Sequence, residues 1–276
     1  MHCAYQRFWH SSVRLDKDEL VVEATYCSTD QELCARMIVD PESFIVRQAW
    51  WEVYRAPGED YPRITKIPGL EGMTAYFGCG KKLREVLSPM QFPEAKDLFA
   101  EGVRGVVQSE TFLWENRGYA GTKEYENYWY DLYDGACRYY SNTDRVTNKW
   151  YDHVGYTHRS GTLFNRMKSQ FLYQRKKDAL IVGHLHDSFH SVAIELELEN
   201  GEGKIISAKG EILRAPDPVC AEAAVFMDTL KGVFPLEMGK KELAILLGGG
   251  NGCVHLIDLV FDGAKTFSLY REREKY

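Results

Sequence analysis

The chain repeats itself. Lys17-Asp18-Glu19-Leu20-Val21-Val22 matches Lys177-Asp178-Ala179-Leu180-Ile181-Val182, 160 positions later, and Ser28 falls on Ser188. Ala49, Glu52, Arg55, Ala56 and Pro57 fall on Ala208, Glu211, Arg214, Ala215 and Pro216 at an offset of 159. Gly80-Lys81-Lys82 falls on Gly239-Lys240-Lys241, and Asp97-Leu98 and Gly102 fall on Asp258-Leu259 and Gly263 at an offset of 161. Self-similarity in a fixed order is the mark of a repeated structural unit. The chain therefore reads as a tandem duplicated domain. A first repeat covers 1–115, a connecting segment 116–157 and a second repeat 158–276.

Periodicity gives each repeat its layers, most clearly the second. Segments 162–174, 180–186, 191–199 and 204–213 carry strand patterns. In 191–199, Val192, Ile194, Leu196 and Leu198 alternate with Glu195, Glu197 and Glu199, which describes a strand with one buried face. Asn200-Gly201-Glu202-Gly203 is a hairpin turn. From Pro218 the period changes. Ala221, Ala224, Val225, Met227 and Leu230 fit one face of a helix closed by Gly232. A short helix over 243–247, a glycine break over 248–252 and a last helix over 253–269 follow. The fold class expected is α+β, each repeat an antiparallel sheet followed by helices packed on one face.

The connecting segment is unusual in holding Tyr119, Tyr125, Tyr128, Trp129, Tyr130, Tyr133, Tyr139, Tyr140, Trp150 and Tyr151. A flexible linker is rich in Gly, Ser or charge, whereas these rings bury large areas. They form either a strap packed on the repeats or, through Tyr128, Trp129 and Tyr130, part of a pocket for a flat ligand. Thirty-four basic against 40 acidic residues give a net charge of −6. That balance argues against nucleic acid as a partner, since such affinity comes from clustered Lys and Arg. No apolar run reaches the ~18 residues of a membrane span, and the start lacks the apolar stretch of a signal peptide. A cytoplasmic protein is expected, acting on a small molecule, with homo-oligomerisation left open. Seven cysteines without a Cys-x-x-Cys spacing do not make a disulfide framework.

One repeat carries a polar cluster that the other lacks. His184, His186, Asp187 and His190 gather at a strand end. Cys220 opens the helix after Pro218, and Cys253 and His255 open the last helix, positions where free backbone N–H groups favour a thiolate. Aligned at offsets of 159 to 161, the first repeat has Ala24, Tyr26, Cys27 and Asp30 in place of the first four, Tyr61 for Cys220, and Phe92 and Glu94 for Cys253 and His255. Scaffold residues match while the soft ligands do not, so a single site is expected in the second repeat. Thiolate and imidazole together suit one zinc or iron ion. His190, Cys220 and Cys253 are the expected ligands, and Asp187 or His255 the second-layer partner or general base. His186 is a further candidate at the substrate.

Leu185-His186-Asp187, His190-Ser191-Val192, Pro218-Val219-Cys220 and Gly252-Cys253-Val254-His255-Leu256 resemble the pattern of the bacterial family called domain of unknown function 2889, over about 162–268. Ser191-Val192 and Val254 depart from it. The family name implies a site but no activity. A more distant resemblance is to iron–sulfur assembly scaffolds of the IscU/NifU type, whose three cysteine ligands fall where His190, Cys220 and Cys253 stand. Three functions follow. The first is a single-metal hydrolase or lyase for a small carbonyl compound, an aromatic one if the insert lines the pocket. The second is a non-catalytic metal or iron–sulfur carrier. The third is a metal-free enzyme with a cysteine nucleophile and His255 as base.

Overall fold

A computed structural model describes residues 1–58, 62–155 and 158–274, which leaves Tyr61 outside the described residues. Strands β1 (His2–Asp16), β2 (Glu19–Ser28), β3 (Glu32–Val39), β4 (Val46–Arg55) and β5 (Arg63–Lys66) come first. Helices α1 (Gly80–Leu87), α2 (Glu94–Ser109), α3 (Thr122–Leu132) and α4 (Trp150–Val154) follow. Strands β6 (Thr162–Gln174), β7 (Asp178–Asp187), β8 (Ser191–Glu199) and β9 (Ile205–Arg214) then precede a 3-10 helix, Pro218–Leu230. Helices α5 (Lys240–Leu246) and α6 (Val254–Arg273) close the chain. The strands form one antiparallel sheet in the order β5-β4-β3-β2-β1-β6-β7-β8-β9. The fold is thus a large antiparallel sheet with helices, as the α+β expectation has it.

The chain divides into two compact units that cut across the expected boundaries. One comprises Met1–Arg7, Glu126–Tyr156 and Lys168–Tyr276; the other comprises Phe8–Tyr125 and Thr157–Met167. In the first unit the alternation of β8 does what its pattern predicts. Val192, Ile194, Leu196 and Leu198 are buried against Leu256, Leu259, Val260 and Phe267 of α6. Each such side chain contributes on the order of 1.5–3 kcal/mol of transfer free energy. Gly263 lets α6 approach Leu196 and Ile181 closely. In the other unit Gly102 of α2 lies in the same way against Met37 and Val22.

Two ladders of each unit pair in the same register to the residue. Every pair in the β2–β3 ladder, from Leu20↔Val39 to Cys27↔Glu32, recurs 159 positions later between β7 and β8, as Ala179↔Leu198 to His186↔Ser191. The β3–β4 ladder recurs likewise in β8–β9, and both carry register shifts at Glu32/Leu33 and Ile38/Val39 and at Ser191/Val192 and Glu197/Leu198. This corrects the alignment of the polar cluster. The matching Lys-Asp pairs suggest 160, but a one-residue slip moves a strand's side chains to the other face. Leu20 is buried in the core whereas Leu180 faces away, and Ala179 takes the core position. Asp187 therefore stands where Ser28 does, His190 where Gln31 does, and His184 and His186 where Thr25 and Cys27 do.

The segment after Pro218 is a second correction. Val219, Ala223, Met227 and Leu230 are buried at helical spacing, but the winding is 3-10 over all 13 residues, far beyond the usual three or four. Asp217 caps it by accepting the Val219 N–H, with Pro218 at the first position. The narrower helix lies against β9 at Gly210, where any Cβ would come within 2.9 Å of Met227 and Leu256.

Candidate functional site

The β7–β8 turn builds the first half of the site. The Asp187 N–H donates to His190 O at 2.9 Å, closing the hairpin. Inside it, Asp187 Oδ1 accepts the backbone N–H groups of Phe189 at 2.8 Å and His190 at 2.6 Å. An Asp at a turn start does this because its short carboxylate reaches the amides two and three residues on. The same oxygen lies 3.1 Å from His190 Nδ1. Arg214, at the end of β9, clamps the turn from outside, donating to Asp187 O and, at 3.2 Å, to His190 O. Below it Phe189 is fully buried against Trp150, with ring centroids 4.8 Å apart, and His153 Nε2 meets Phe189 O at 2.8 Å. Burial lowers the His153 pKa, so its neutral ring donates to that carbonyl.

The start of α6 supplies the second half. The glycine run delivers it by allowing backbones to touch. A Cβ on Gly250 would stand 2.3 Å from Gly135 O, one on Gly252 2.0 Å from Leu247 O, and Gly248 has φ +92°. Cys253 is the N-cap and His255 lies in the first turn. His255 packs against His190 with ring centroids 4.1 Å apart and planes tilted by 38°, and its Nε2 is 4.0 Å from Asp187 Oδ2. Its Nδ1 faces the Cys253 sulfur at 3.8 Å. One donor atom from each of Asp187, His190 and His255 lies within 4.8 Å of the others, the spacing a metal ion needs. The Asp187 side chain is fully buried, while those of His190 and His255 are 16% and 13% exposed, so the cluster is enclosed but reachable.

Residues expected together thus divide into two groups. Asp187, His190 and His255 form the metal-spaced cluster, and Cys253 adjoins it through His255. Cys220 lies outside it. The expected thiolates are overruled by desolvation. Burial pushes Cys220 up to about 12 and Cys253 up to about 11, although the His255 and Leu256 amides pull Cys253 down. Half a unit of charge at a helix start does not offset removal of the thiolate from water.

His186 is exposed at the end of β7, with Nδ1 2.9 Å from Ser191 Oγ, and its ring stacks beside that of His184 at 6.3 Å. Trp129 is buried and stacks on Tyr133 at 4.8 Å. Tyr128 packs on Trp129, and the Tyr130 hydroxyl meets that of Tyr139 at 3.0 Å. The rings pack chiefly on one another. Sequence reasoning missed Arg214 as the turn clamp, although its repeat with Arg55 was visible: Arg55 likewise donates to Ser28 O, at 3.2 Å.

No curated protein matches the chain, and no solved structure does, so the likeness to iron–sulfur scaffolds is without support. Residues 168–268, which hold Asp187, His190, Cys220, Cys253 and His255, match the family model described as a protein of unknown function, DUF2889.

Proposed function

We propose that the chain is a single-metal hydrolase or lyase for a small carbonyl compound, built on a tandem duplication of which one copy keeps the site. The observation that carries it is the convergence of Asp187, His190 and His255 donor atoms within 4.8 Å at a half-enclosed corner. Two imidazoles and a carboxylate suit zinc or ferrous iron and leave positions for substrate and water. Such an ion polarises a carbonyl or lowers the pKa of bound water. Asp187 orients His190 through the 3.1 Å contact, and Cys253 orients His255 through Nδ1, leaving Nε2 directed at the carboxylate. The enclosure favours an enzyme over a carrier, which presents its ligands. The shared pairing register of the two units, with Ser28 and Gln31 in place of Asp187 and His190, supports a duplication that kept the scaffold. No helix among the described residues is long and apolar enough to cross a membrane, which agrees with a cytoplasmic setting.

Metal analysis of protein purified without added metal tests this. Asp187→Asn and His190→Ala should each lower zinc or iron by about one equivalent per chain, while Cys27→Ala and Cys34→Ala leave it unchanged. Metal content equal to the parent's in the first pair overturns the proposal. The 3.8 Å contact of Cys253 with His255 favours a second reading, a cysteine nucleophile with an imidazole base. It predicts inactivation by iodoacetamide in metal-stripped protein that retains activity.

A further inference from the structure

We propose that the free edge of β9 pairs with β9 of a second copy of this chain, antiparallel and centred on Gly210. This interface is independent of the metal reading above.

The other unit displays what such an edge accepts. β9 ends the strand order, and its residues 209–212 share their pairing register with residues 50–53 of β4. In β4 that stretch is covered, because β5 pairs with it antiparallel from Trp50↔Lys66 to Val53↔Arg63. No strand among the described residues covers 209–212 on the side away from β8. The chain that follows β9 forms the 3-10 helix instead, which places Met227 beside Gly210 together with Leu256 of the core. Its far end returns to the strand at Ile205, whose N–H donates to Val233 O at 2.9 Å and whose carbonyl accepts the Gly232 N–H at 2.8 Å. An edge strand turns alternate N–H and C=O groups away from its one neighbour. Over 207–212, the regular stretch between the two bulges, those groups have no hydrogen-bond partner among the described residues.

Charge identifies the occupant. Lys209 and Glu211 are exposed, and neither forms an ion pair among the described residues. Within the sheet Glu211 stands opposite Ala193, and Lys209 stands opposite Glu195 without closing on it. A two-fold axis at Gly210 sets Lys209 opposite Glu211 of the partner subunit, and Glu211 opposite Lys209 of the partner subunit. Opposite charges directly across a ladder attract, and like charges repel. A uniformly acidic or basic strand would match only one of the two residues, whereas the chain's own copy matches both. Such self-complementary pairing about an axis closes at two chains, and the main-chain hydrogen bonds supply its affinity.

Light scattering of the full chain over a concentration series is the test. The parent should approach twice the chain mass. Glu211→Lys sets Lys against Lys at both symmetric positions, and Lys209→Glu sets Glu against Glu. Each alone should raise the dimer Kd by about tenfold. An equimolar mixture of the two variants brings opposite charges together again and should recover the parent's dimer, which also checks that both variants are folded. A parent that stays monomeric overturns the proposal. So do single variants that dimerise like the parent, and a mixture that associates no better than its components. A second measurement needs no variant: amide exchange over 207–212 should slow as the parent's concentration rises. A dimer that leaves exchange there unchanged is joined through another surface and overturns the proposal equally.

Discussion

The Asp187 carboxylate holds its turn and, under the proposed function, would also bind the metal; Ser28, at the same pairing position, separates the two roles. Its Oδ1 holds the turn by accepting two amide N–H groups. Ser28 holds the equivalent turn with its hydroxyl, accepting from Asp30 at 3.2 Å and Gln31 at 3.0 Å. The turn thus needs an acceptor and not a charge, whereas the proposed metal would need the carboxylate. Asp187→Ala leaves buried amides unsatisfied and should cost about 1–3 kcal/mol. Asp187→Ser should cost less than half as much, yet lose metal as fully. Urea denaturation read beside metal content checks both. Equal destabilisation by the two variants would show that the charge itself holds the turn. A polar cluster holding Asp187, His190 and His255, together with Cys220 and Cys253, was legible in the second half of the sequence. Which of them share a corner was not, because the contact between His190 and His255 spans 65 residues and depends on where α6 starts.

Among the elements, boundaries marked by alternation were the most legible. The limits of β6 and β8 coincide with the apolar/polar pattern, because a half-buried strand writes its period into sequence. The 3-10 winding after Pro218 left no such trace, since its buried residues keep helical spacing while hydrogen bonding differs. The offset between halves was misread by one residue because the best-matching Lys-Asp pairs lie at the β1–β2 and β6–β7 turns, where side-chain face is not constrained. The glycine run before α6 was legible as a break and is more than that. It sets the height at which Cys253 and His255 emerge. Gly252→Ala places a methyl 2.0 Å from Leu247 O, backbone that cannot swing aside. A loss of stability at or above the ~1–3 kcal/mol of an overpacked core is expected. Thermal denaturation checks it, and Gly201→Ala, where φ is not positive and a Cβ meets nothing within 4 Å, is the control.

For the whole molecule, the candidate site belongs to one compact unit, so its ligation should be felt there first. Binding stabilises the state that binds by RT ln(1 + [L]/Kd), about 2.7 kcal/mol at a hundredfold excess over Kd. Hydrogen exchange of stripped protein with and without zinc should show added protection in Glu126–Tyr156 and Lys168–Tyr276. Equal protection across Phe8–Tyr125 would place the ligand elsewhere.

The identical pairing registers have a consequence for how this chain reaches its native state. Since β2–β3–β4 and β7–β8–β9 share every backbone partner and both bulges, hydrogen bonding alone does not distinguish a strand from its counterpart 159 residues away. Elements with the same pairing pattern can misassemble with one another. What tells the two three-strand sets apart is side-chain volume: Met37 against Leu196, Trp51 against Gly210, Tyr26 against Leu185. An exchanged β4 and β9 would drive an indole into the space that Gly210 leaves for Met227 and Leu256. The bulkiest mismatch should therefore disfavour, on steric grounds, an exchange that the backbone alone would accept.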